Sequence, residues 1–179
     1  RSAHAVAVLD GKLYAVGGHD DNGGDDLSSV ERYDPALDAW EAVAPMETAR
    51  KFVGASVLDG KLYAVGGRSG GVGGWLSSVE RYDPALDAWE AVAPMAVERF
   101  APGVAGLDDK LYAVGGFNYD DGYLSSVERY DPATNAWEAV APMRAARDER
   151  AVAGGGGKLY AVGGDDDDAH YPRPAERKE

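Results

Sequence analysis

A seven-residue string, KLYAVGG, recurs at Lys12, Lys61, Lys110 and Lys158, with spacings of 49, 49 and 48 residues. A fixed period of this length dictates a repeat architecture, in which each unit buries its apolar faces only against its neighbours. A longer string, LSSVERYDPALDAWEAVAPM, is identical at Leu27–Met46 and Leu76–Met95. A third copy, Leu124–Met143, differs only at Thr134 and Asn135, so the repeats reflect recent duplication or consensus-style design.

Each unit reads as four strands. His4–Leu9 is a continuous apolar run closed by Asp10-Gly11, a dipeptide suited to the left-handed conformations of a two-residue hairpin turn. Lys12–Gly17 is apolar on both faces. Ser28–Tyr33 alternates and ends at Asp34-Pro35, and Ala39–Ala44 alternates and ends at Pro45. Strands apolar on both faces lie between neighbouring sheets, so the first two are inner and the charged pair outer. The small residues Val53, Gly54, Ala55, Ser56 and Val57 fit a crowded axis. A four-stranded sheet repeated about an axis is a propeller blade.

The units resemble the Kelch repeat, which has a double glycine, a spaced Tyr and Trp, and about 50 residues per copy. The glycines are Gly17-Gly18, Gly66-Gly67, Gly115-Gly116 and Gly163-Gly164; the aromatic pairs are Tyr33 and Trp40, Tyr82 and Trp89, and Tyr130 and Trp137. The form most similar is that of the kelch-like substrate adaptors. The resemblance implies an all-β, Kelch-type propeller of about three and a half antiparallel blades in an incomplete ring. Blades are expected at 1–49, 50–98 and 99–146, with the inner two strands of a fourth at 147–164. The acidic, Pro-containing stretch 165–179 is expected to be disordered, with one irregular strand at most. An open arc, and a start at Arg1 where Met would stand, lead to the expectation of a fragment of a longer propeller, or of self-association that completes it.

Alternate connections in such a sheet lie at opposite ends. The first-to-second and third-to-fourth turns are short and uniform. The second-to-third loops (19–26, 68–75 and 117–123) and the interblade linkers (47–50, 96–99 and 144–147) vary from copy to copy. Variable loops on a rigid frame form binding faces, and the loops carry His19, Trp75, Phe117, Tyr119 and Tyr123, residue types that anchor interfaces. The resemblance implies that this end engages partner proteins or peptides. Arg1, Arg50, Arg99 and Arg147 open the units near the axis on the same end. They have two readings: a basic ring that binds carboxylates of an acidic ligand, or intramolecular partners for nearby acids.

The net charge of -13 opposes nucleic acid and anionic lipid. No apolar run approaches the ~20 residues of a membrane span, and no basic, apolar leader is present; a soluble chain is expected, with the compartment left open and the cytoplasm slightly favoured. The absence of cysteine removes thiolate zinc sites, a cysteine nucleophile and the cysteine–tyrosine crosslink of galactose oxidase, another Kelch-type propeller. The double glycines cradle no phosphate, because no helix follows them. No acid–base pair reaches motif strength, and no enzyme activity and no cofactor are expected. Asp20, Asp21, Asn22, Asp25 and Asp26, Asp120 and Asp121, and Asp165 to Asp168 crowd three segments, read as solvated charge in preference to Ca²⁺ ligands because Asp25 stands where an EF-hand loop needs Gly. Two alternatives to protein binding stand: a sugar-binding or sugar-modifying propeller, marked by an axial site of acids, an Arg and aromatics, and a designed scaffold without a natural ligand.

Overall fold

The computed structural model describes residues 1–70, 74–148, 151–164 and 176–178, and contains no helix among them. Four antiparallel sheets follow one another along the chain. The first holds β1 (Ala5–Leu9), β2 (Lys12–Val16), β3 (Val30–Asp34) and β4 (Ala39–Val43). The second holds β5 (Gly54–Leu58), β6 (Lys61–Val65), β7 (Val79–Asp83) and β8 (Ala88–Val92). The third holds β9 (Gly103–Leu107), β10 (Lys110–Val114), β13 (Val127–Asp131) and β14 (Ala136–Val140), with a small hairpin of β11 (Phe117–Asn118) and β12 (Gly122–Tyr123) at its loop end. The fourth holds β15 (Ala151–Gly155), β16 (Lys158–Val162) and β17 (Glu176–Lys178).

The last strand is the single one allowed for in the C-terminal stretch. β17 pairs Glu176 with Ala161, Arg177 with Tyr160 and Lys178 with Leu159. In the third sheet Glu128, Arg129 and Tyr130 pair with Ala113, Tyr112 and Leu111. Glu176-Arg177 thus takes the register of Glu128-Arg129, and Lys178 that of the repeat tyrosine. The rest of that stretch, 165–175 and 179, lies outside the described residues.

The hairpin turns explain their dipeptides. Asp10-Gly11 and Asp59-Gly60 have positive φ at both residues (50° and 73°, 51° and 68°), the signature of a type I′ turn. Asp108-Asp109 makes the same turn without glycine, with φ of 49° and 56°. Side chains pack between consecutive sheets. Leu9, Tyr14, Val16 and Val30 of the first meet Leu62, Ala64 and Tyr82 of the second, and Leu58, Tyr63, Val65 and Val79 of the second meet Leu111, Ala113 and Tyr130 of the third. The inner strands β1, β5, β9 and β15 stand side by side around a channel of about 360 Å³ lined by small residues such as Ala7, Ser56, Ala105 and Ala153. Crowding there requires glycine: a Cβ on Gly154 would fall 2.4 Å from the Gly106 carbonyl oxygen.

Candidate protein-binding face

The double glycines are the hinge between blade and loop end. Gly18, Gly67 and Gly116 donate their amides to the carbonyl oxygens of Arg50, Arg99 and Arg147 at 2.6, 2.8 and 3.0 Å. A Cβ on Gly17 would stand 2.4 Å from the Arg50 oxygen, and φ is +62° there, so only glycine admits the approach of the following linker.

The repeated arginines brace the blade that each one opens. Arg50 is fully buried. Its guanidinium donates to the carbonyls of Gly66 and Ser78, to Ser78 Oγ and to Glu80 Oε1, at 2.9 to 3.0 Å. Arg99 repeats the set with Gly115, Ser126 and Glu128. Arg147 is buried and donates to the Gly163 carbonyl. Arg1, the most accessible, binds Ala15, Gly17 and Ser29 and pairs with Glu31 at 2.9 Å. The basic ring open to an acidic ligand is therefore corrected at Arg50, Arg99 and Arg147, which are buried and bonded within the protein; Arg1 is bonded to its own blade but stays accessible. Burial lowers the pKa of Arg50 and Arg99, and the carboxylates of Glu80 and Glu128 oppose that shift.

The face itself is built from equivalent positions that the repeat leaves free to vary. They are the residue after each arginine, the residue after each double glycine, and the residue before each Leu-Ser-Ser. Bridges bring the three together in every complete blade: Ser2, His19 and Asp26; Lys51, Arg68 and Trp75; Phe100, Phe117 and Tyr123. The first blade is polar. Asp26 takes His19 Nδ1 at 3.0 Å, Lys51 Nζ at 2.8 Å and the Gly70 amide at 3.0 Å, so it ties the first loop to the second blade. Burial alone would raise its pKa, but the bonds from Lys51 and His19 hold it below the ordinary carboxylate value.

The third blade is aromatic. Trp75 stacks on Tyr119 with centroids 5.7 Å apart and meets Phe117 edge-on at 5.9 Å; Phe117 in turn meets Tyr123 at 5.4 Å. Phe52 lies 4.4 Å from Phe100. The β11–β12 turn is braced by Asn118, which accepts the Asp121 amide and donates to its carboxylate, and it projects Tyr119, 79 % exposed. The structure thus joins Trp75, Phe117, Tyr119 and Tyr123 in one cluster and places His19 in the polar blade apart from them. Lys51, Phe52 and Phe100 were not singled out from the sequence, although each falls one or two residues after a repeated arginine.

Backbone strain marks the same end. Ala3, Phe52 and Ala101 have φ of 51°, 51° and 47°, and a chain of bonds joins them: the Phe52 amide donates to the Ala3 carbonyl (2.8 Å) and the Ala101 amide to the Phe52 carbonyl (3.0 Å).

The acidic loop has internal partners for several carboxylates. Asp20 caps its own turn through the Asn22 amide at 3.0 Å, and that bond and the Gly23 amide hold its pKa down; Asp21 accepts the Ser2 hydroxyl. Asp165 to Asp168 lie outside the described residues.

Comparison with known proteins agrees with this architecture. The Kelch motif family matches residues 1–47, 49–96 and 98–144. Human Kelch-like protein 35 is 51 % identical over 49 residues, 27 % of this chain and 8 % of that protein. Beta-scruin of Limulus polyphemus is 47 % identical over 51 residues, 28 % of this chain and 5 % of that protein. The chain thus matches a small part of each relative's length. The solved structure of YjhT superposes with a TM-score of 0.81 at 17 % identity, covering 92 % of this chain and 59 % of that one, which shows the fold. No helix among the described residues is long and apolar enough to cross a membrane. With three in-phase motifs over most of its length, the chain belongs to the Kelch-repeat family and folds as blades of a β-propeller.

Proposed function

We propose that this chain is a protein-interaction module whose loop-rich end receives a partner protein or peptide. The observation that carries the reading is the aromatic series Trp75–Tyr119–Phe117–Tyr123 on a rigid, hydrogen-bonded frame. Aromatic rings supply large contact area with few torsions to freeze, which makes them the usual interface anchors. With the repeated arginines turned inward, recognition rests on apolar contact from the second and third blades, rimmed by the polar loop of the first. A sugar site at the axis finds no support in the channel lining, whose described side chains are aliphatic or hydroxylic.

Peptides selected from a random display library on this chain provide the test. Trp75→Ala and Tyr119→Ala should weaken the selected peptides at least tenfold, while Leu37→Ser, on an exposed turn of the first blade's opposite end, leaves them unchanged. Selected peptides that bind the Trp75→Ala/Tyr119→Ala double variant at full strength would overturn the reading.

A further inference from the structure

Tyr119 stands apart from the other rings of the loop end. Trp75, Phe117 and Tyr123 are half-buried, whereas Tyr119 is 79 % exposed. One face of its ring is stacked on Trp75, with 5.7 Å between centroids and 25° between planes, so the other face is open to a ligand. The turn that carries it is braced: Asn118, only 6 % exposed, bonds both the amide and the carboxylate of Asp121. A ring already held in place loses little freedom when a ligand covers it.

The free charge of this end is negative. Asp120 follows Tyr119 in the turn, Glu98 lies in the linker that leads to Phe100, and Asp25 and Glu47 lie in the loop and linker of the first blade. All four are exposed, and none makes a side-chain bond among the described residues. The cations of the same end are engaged. Arg50 and Arg99 form buried pairs with Glu80 and Glu128, Lys51 pairs with Asp26 at 2.8 Å and Arg1 with Glu31 at 2.9 Å, and Arg68, Arg144 and Arg147 also have partners. The whole chain, at a net charge of -13, adds a long-range field of the same sign.

We propose that the segment received at this end is basic, and that one of its arginines lies on the open face of Tyr119 with Asp120 beside the guanidinium. The inference rests on the protein-interaction reading above and adds the chemistry of the partner.

The negative face of an aromatic ring attracts a cation, and a planar guanidinium stacks on the ring while its N–H fork reaches a carboxylate. Glu98, Glu47 and Asp25 offer sites for flanking basic residues, and complementary charge of this kind fixes register and speeds encounter. An acidic segment would set its own charge against four uncompensated carboxylates, so the same surface discriminates against it.

Peptides selected on the full chain from a random display library serve as the probe. Those weakened at least tenfold by Trp75→Ala/Tyr119→Ala should carry more arginine and lysine than aspartate and glutamate. Replacing their arginine with citrulline, which keeps the shape and removes the charge, should weaken them at least tenfold. Asp120→Asn/Glu98→Gln should do the same, and melting temperature checks that this chain, altered only at exposed sites, stays folded. Leu86→Lys, at an exposed turn of the opposite end, should leave binding unchanged, and rising salt should weaken it. Tyr119-dependent peptides that are neutral or acidic, or that tolerate both citrulline and the Asp120→Asn/Glu98→Gln chain, would overturn this inference and leave the interaction reading standing. Peptides indifferent to Trp75→Ala/Tyr119→Ala, or a library that yields none, would overturn both.

Discussion

Trp89 Nε1 reaches across 45 residues to the carbonyl oxygen of Ala44 at 2.9 Å, and Trp137 makes the same bond to Ala93. A motif residue that reads as core within its own repeat is therefore a fastener between repeats. Trp89→Phe keeps most of the ring and removes the donor. It should lower stability by about 1 kcal/mol, the net worth of a typical hydrogen bond, and Trp40→Phe, at a ring 50 % exposed, should cost almost nothing. Denaturant midpoints measured on the two variants check the contrast.

The buried ion pairs should show a wider contrast. Glu80 accepts from the fully buried Arg50 and also from the amides of Glu47 and Thr48. Glu80→Gln strands a desolvated guanidinium, a change that costs about 3 to 5 kcal/mol where a buried pair is broken. The same substitution at Glu31, whose side chain is half exposed beside Arg1, should stay within about 1 kcal/mol. Equal losses at the two sites would contradict the structural role assigned to Arg50.

Acid should loosen all three complete blades together. Asp34, Asp83 and Asp131 are held below the ordinary carboxylate pKa, first by hydrogen bonds from Lys12, Lys61 and Lys110 and then by turn amides. A carboxylate whose folded pKa is depressed stabilises the protein above its unfolded value of about 3.9, and that contribution is lost as pH falls through the folded value. Stability should therefore be insensitive to these groups at neutral pH and decline below about pH 4. Replacing the three lysines with methionine should flatten that part of the decline, as read from melting temperature against pH.

Asp109 offers a gain. It holds φ of 56° where the equivalent turns have Gly11 and Gly60. The left-handed conformation costs a side-chain-bearing residue roughly 1 to 2 kcal/mol, and glycine returns roughly 0.5 to 1 of that as unfolded-state entropy. Asp109→Gly should stabilise by up to about 1 kcal/mol, a rise of about 2 to 4 °C in Tm for a chain of this size.

The strands, the turns and the radial order of each blade were legible in the sequence because their signals are local. Alternation, an Asp-Gly turn and a Pro stop all act within one unit. The role of the arginines was not legible, since Arg50 meets Gly66, Ser78 and Glu80, 16 to 30 residues along its own unit, and a strand pattern alone does not choose between a solvent-facing ring and those partners. The third strand of the fourth blade did carry a signal: Glu176-Arg177 follows Glu128-Arg129 by 48 residues, the spacing of the preceding pair. Flanking prolines and aspartates, and a lysine in place of tyrosine, hid it. Of the aromatic residues, Trp75, Phe117, Tyr119 and Tyr123 stood out by type, whereas Phe52 and Phe100 became neighbours only through the ring of linkers.

The bonds that seat one blade on the next run largely through invariant letters of the repeat: the buried arginine, the Ser-Ser-Val-Glu segment, the tryptophan and the Ala-Pro-Met carbonyl. The loops add contacts of their own across the same seams, among them Asp26 to Lys51 and to the Gly70 amide, and Trp75 to Phe117 and Tyr119. A loop moved to another blade therefore keeps the framework bonds but has to match the neighbouring loop as well.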